Sequence, residues 1–134
     1  MLPSLLAYSG VIVSIWILLS IALTGYFYPN FNHKTQFCSE LGATGSPTQQ
    51  LTPMINHYPL GCLFLLFGGY IVQLDNTSLW TVFLGGCICI HGVATWIAGR
   101  FPMDKDPYTP APSFKGKVHS WAGFIFIPII RPPF

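Results

Sequence analysis

The sequence predicts an all-α membrane protein, an antiparallel transmembrane helix bundle with three full spans plus an incomplete fourth. Three observations carry that expectation. Only 7% of the residues are Asp, Glu, Lys or Arg, against about 25% in soluble domains. The mean hydropathy is +0.53, and a soluble domain of 134 residues has too much surface to cover with so few charges. Long uncharged stretches also alternate with polar, turn-rich connections. The expected solvent is the lipid bilayer, and a single multispanning domain covers the chain. A net charge of +2 with no basic patch argues against a nucleic-acid partner.

The first span covers residues 5–27, LLAYSGVIVSIWILLSIALTGYF, without one charge. At 1.5 Å per residue it is about 34 Å long, enough to cross. A signal peptide is the rival reading. The preceding MLPS carries no Lys or Arg, however, and the apolar run exceeds the core of such a peptide. The second span covers residues 58–74, with Pro59 in its first turn, where a missing N–H costs little. The third covers residues 79–99. The short DNTS connection between them makes a tight turn, so these two helices are antiparallel neighbours. Gly85, Gly92 and Gly99 recur every seven residues on one helix face, and Gly61 and Gly68 do the same on the second span. Such seams support helix–helix association in lipid, where close packing drives it.

The fourth apolar stretch, residues 118–130, is too short to cross before Arg131 and carries Pro128, which kinks a helix. It reads as an interrupted span, and the chain as a truncated or frameshifted form of a longer protein. A re-entrant segment is the alternative. Trp80, Tyr26, Tyr28 and Tyr58 fall near span ends, as interfacial aromatic residues do. Trp16 and Trp96 lie deeper, where ordinary lipid or helix contact explains them. Cys38, Cys62, Cys87 and Cys89 form no disulfide framework, and Cys87 and Cys89 point about 200° apart on a helix. The basic residues Lys34, Arg100, Lys105, Lys115 and Lys117 lie in the connections after spans one and three, which places those two loops together and on the cytoplasmic side.

These polar loops, residues 28–57 and 100–117, concentrate the chemistry. The first supplies His33, Gln36, Ser39 and Glu40, and the second supplies Arg100, Asp104 and Asp106, with His119 at the lip of span four. Asn32 is a fair N-cap and Gly42 a good terminator, so a short interfacial helix is expected between them, with Phe37 and Leu41 on its lipid-boundary face. On it Gln36 and Glu40 are neighbours, whereas His33 and Glu40 stand about 10 Å apart. A lipid headgroup or small molecule suits such a site. A divalent metal, zinc or iron, held by Glu40, Asp104 and His119 is a second expectation, with a metal-bound water attacking a lipid ester or amide. No linear metal motif supports it. In the plainer alternative, Glu40 pairs with Arg100, and Asp104 with Lys105 or Lys117, at about 0–1 kcal/mol each. His91, near the middle of span three, is a functional candidate by its depth. It either hydrogen-bonds a neighbouring helix or serves a transporter or proton-coupled carrier, although no second acid or base lies at its depth.

Three strings stand in order along the chain: YPNFNHKTQFCSELGATGSP, FPMD from Phe101 to Asp104, and GKVHSWAG from Gly116 to Gly123. Taken together they resemble a family of integral membrane proteins, domain of unknown function 998. The resemblance implies a multispanning helical protein, usually of about six spans, with no settled activity. The polar residues that match its pattern are His33, Ser39, Glu40, Asp104 and His119. Ending inside the fourth span departs from the pattern.

Overall fold

The structure, a computed structural model, describes residues 2–74 and 78–124. Among them the regular elements are helical. They are α1 (Leu2–Phe27), a 3-10 helix (Cys38–Gly42), a π-helix (Pro53–His57) running into α2 (Tyr58–Val72), α3 (Leu79–Arg100) and a short α4 (Phe114–Phe124). Three segments are long and apolar enough to cross a membrane: Leu6–Phe27, Pro53–Val72 and Leu79–Arg100. Large apolar side chains stand on their outer faces, Leu18 at 71% and Phe83 at 66% exposure. Such surfaces suit lipid rather than water. The turn at residues 75–77 and the expected break at Pro128 and Arg131 lie outside the described residues.

The centre of the bundle is α2, which packs on α1 and more extensively on α3, while α4 packs on α3. Glycine sets the α2–α3 approach. A Cβ on Gly61 would stand 2.9 Å from the Gly92 carbonyl oxygen, and one on Gly68 would stand 2.7 Å from that of Gly85. Residue 61 opposes 92 and 68 opposes 85, so the helices run antiparallel as the short connection requires. Ser78 caps α3, its Oγ accepting a 3.3 Å hydrogen bond from the Thr81 N–H. On α1 the buried residues Ser9, Val13, Ser20 and Thr24 line one face. Thr24 Oγ1 donates to the Ser20 carbonyl at 2.7 Å, so its hydroxyl is satisfied within the helix.

The second membrane-length segment begins earlier than its sequence suggests. Pro59 brings no N–H to the preceding turn, yet the helical path continues upstream through the π-helix Pro53–His57. Indole groups supply donors there. Trp16 Nε1 donates to the Ile55 carbonyl at 2.8 Å, and Trp96 Nε1 donates to the Tyr58 carbonyl at 3.0 Å. Trp16 is no mere lipid contact, because the helical donor for the Ile55 carbonyl would be Pro59, which has no N–H, and Trp96 adds a donor at the Tyr58 carbonyl. Trp16→Phe is expected to destabilise the protein by about 1–3 kcal/mol, the cost of a stranded buried acceptor. Thermal unfolding in detergent measures it, with Trp80→Phe, at a residue 81% exposed, as the near-neutral control.

The continuous interfacial helix expected after Asn32 does not form. Asn32 does start a turn, its Oδ1 accepting from the Lys34 N–H and its carbonyl from Thr35 and Gln36. Phe37 then turns extended, with φ −72° and ψ 143°, and a separate 3-10 helix follows. That break redirects Leu41. Rather than facing lipid beside Phe37, it is fully buried, while Phe37 stays 50% exposed.

Candidate functional site in the polar layer

Local hydroxyls shape the first loop. The Leu41 carbonyl lies within hydrogen-bond reach of Ser46 Oγ at 2.9 Å, Thr48 Oγ1 at 2.6 Å and Thr52 Oγ1 at 2.9 Å. Gly45 takes φ +80°, a left-handed conformation that glycine adopts without strain. Glu40 reaches back to the Phe37 N–H at 2.9 Å and accepts from Gln36 Nε2 at 3.2 Å. This is half of a capping box, since Phe37 has no side-chain oxygen to return. Glu40 therefore meets local donors instead of Arg100. His33 stands apart from these groups, its ring against Gly25 of α1 and edge-on to Phe31.

The second loop is tied to the first and to α4 largely through backbone atoms. Thr44 N–H donates to the Met103 carbonyl at 2.8 Å, and Ser39 Oγ donates to Met103 Sδ at 3.3 Å. Asp104 accepts from the Ser113 N–H at 2.9 Å, and its carboxylate lies where a Cβ on Gly116 would fall. An anion there complements the exposed N–H groups and dipole at the start of α4. This contact replaces the expected pairing of Asp104 with lysine. His119 works at the opposite polarity. Its Nδ1 donates to the carbonyls of Phe101 at 2.8 Å and Ala98 at 3.1 Å, which α3 leaves open at its C-terminal end. Carbonyl oxygens only accept, so Nδ1 carries the proton and Nε2 is the open ring nitrogen.

Among the described residues, two concavities stand out in this layer. A cleft of about 50 Å³ is lined by Tyr28, Glu40, Thr44 and Ser46 from the first loop and by Lys105 from the second. A larger hollow of about 500 Å³, beside Pro47, Gln50, Leu51 and Met54, is wide open and has no charged lining residue. The cleft is the better candidate because it brings both charge signs and both loops to one space.

One residue in this layer was not singled out from the sequence. His57, at the end of the π-helix, packs under Gly99 of α3, where an added Cβ would be 2.6 Å from His57 Cβ. Its Cε1 lies 4.0 Å from a Cβ position on Gly42, and its ring centre is 6.4 Å from that of His119. The signal was the glycine seam itself. Carrying the antiparallel register one turn past the Gly61–Gly92 pair brings residue 57 to the end of α3.

The structure places the sequence-derived candidates in separate contacts. Ser39 meets Met103, Glu40 its own loop, Asp104 the start of α4, and His119 the end of α3. Among the described residues no group of three His, Cys, Asp or Glu side chains is placed to hold a metal ion. His91 lies deeper, between α2 and α3, edge-on to Phe64 with ring centres 4.6 Å apart.

The chain is thus an all-helical protein with three helices long and apolar enough to cross a membrane, and with three sequence motifs clasped at one end of the bundle. It belongs to the family described as protein of unknown function (DUF998), whose model matches residues 11–129. No curated protein and no solved structure matches it.

Proposed function

We propose that this is an integral, multi-pass membrane protein that binds a lipid headgroup or small polar molecule in the layer formed by loops 28–57 and 100–117. The observation that carries this reading is the cleft between the two loops, with Lys105 on one side and Glu40, Tyr28 and Thr44 on the other. Its volume of about 50 Å³ compares with about 30 Å³ for one water. The cleft therefore takes the charged end of a molecule, and the rest of the ligand extends along the bundle or into the aqueous layer. Lys105 presents an ammonium to an anionic group such as phosphate. The Glu40 carboxylate accepts from the remainder, and the hydroxyls of Tyr28 and Thr44 accept from it or donate to it.

Lys105→Ala tests the reading, because Lys105 is exposed and its removal leaves the clasp intact. The variant is expected to retain less phosphate-bearing lipid in native mass spectra while unfolding at the same temperature. Equal lipid retention by the two proteins would refute the cleft as the binding site.

A further inference from the structure

We propose that His57 and His119 form a two-imidazole site for a borderline divalent transition-metal ion, with the remaining coordination positions open to water or ligand. The proposal goes beyond headgroup binding and uses neither Lys105 nor the cleft. Three observations converge on it. The rings come from different elements, the π-helix and α4, yet are neighbours with centres 6.4 Å apart. His119 Nδ1–H is fixed on two backbone carbonyls, the outer-shell arrangement that orients an imidazole to ligate through Nε2. His57 Nδ1 is buried without a well-directed hydrogen bond, with the Thr52 backbone near the ring. A polar atom stranded in this way calls for a physical account, and a bound ion is one.

Distances permit the assignment. Zinc–nitrogen bonds are about 2.0–2.1 Å and a ring centre lies about 1.2 Å behind its nitrogen, so two rings on one ion have centres up to about 6.4 Å apart. The observed separation sits at the open end of that range, and drawing the rings together by about 1 Å reaches the tetrahedral angle. Neighbouring contacts carry both rings to this separation, His57 against Gly99 and Gly42 and His119 at the end of α3. Imidazole nitrogen suits zinc, copper, nickel and iron, and zinc serves as the probe. Glu40 and Asp104, occupied in their own contacts, are not part of this pair.

The test uses the full chain, free of any histidine tag, in phosphatidylcholine nanodiscs with nitrogen-labelled histidine. The sequence holds four histidines, and His33→Gln and His91→Gln assign their signals. One equivalent of zinc is expected to shift the Nδ1 resonance of His57 and the Nε2 resonance of His119 and to leave the ring-nitrogen signals of His33 and His91 in place. Zinc affinity is expected to fall by at least about tenfold in His57→Gln and in His119→Gln, since even supporting groups around a metal are worth that much. Zinc that leaves the His57 and His119 signals unmoved, or shifts those of His33 or His91 instead, overturns the proposal. The spectra of the unaltered protein decide this even where a variant fails to fold.

Discussion

Gly68→Leu is expected to part α2 from α3. A Cβ at residue 68 would stand 2.7 Å from the Gly85 carbonyl oxygen, 2.6 Å from Cys89 Sγ and 3.0 Å from the Cys89 nitrogen. Two of these three neighbours are backbone atoms in the middle of a helix, and neither can swing aside. The rest of a leucine side chain would add to the crowding. Overpacking of a tight core costs about 1–3 kcal/mol when the surroundings adjust. Here relief requires the helices to separate, with loss of the packing that holds them together in lipid. The expected effect is therefore at or above the top of that range. A lower unfolding temperature in detergent would show it, as would faster thiol labelling of Cys89. Gly86→Leu is the matched control, since a Cβ there meets nothing within 4 Å. Equal behaviour of the two variants would contradict the seam.

The second large effect belongs to the pair Asp104 and Gly116. Gly116→Ala drives a methyl group into the Asp104 carboxylate, which holds the Ser113 N–H at the start of α4. The carboxylate must leave, and α4 loses both its anionic cap and its seat. Loss of such a cap costs about 0.5–2 kcal/mol, with the steric cost added. Asp104→Ser shortens the intruding side chain while keeping an oxygen. Gly116→Ala is therefore expected to cost clearly less in the Asp104→Ser background than alone. A double-mutant cycle on unfolding free energies measures the coupling, expected at about 1–2 kcal/mol for residues in direct contact. A coupling near zero would show that the two positions act independently.

Helix number, the antiparallel pairing of α2 with α3 and the glycine seams were legible from apolar run length, a short connection and a seven-residue repeat. These are local or periodic signals. The path of residues 51–57 was not legible, because Pro59 reads as a beginning. The group that lets the helix pass it belongs to Trp16, far away in sequence. Position alone also misled on Leu41. Its spacing from Phe37 suits a helix face, but the extended backbone at Phe37 sends it inward. For the candidate site, the gathering of the two loops at one end was readable from the alternation of spans. The partners of Glu40, Asp104 and His119 were not readable, because much of what they meet is main chain, which every sequence has in common. His57 escaped attention for a related reason: its neighbours include Gly42 and Gly99, residues that say little of what lies against them.

The hydroxyls gathered on the Leu41 carbonyl have a consequence in time. Thr44 finds its partner at Met103, which leaves the ribosome several seconds later at about 5–20 residues per second. Over that interval the first loop has no second loop to lean on. Ser46, Thr48 and Thr52, in contrast, emerge almost together with Leu41. They let the nascent segment take its shape early and wait for Met103, with the Leu41 carbonyl already occupied rather than offered to stray strands or chaperones.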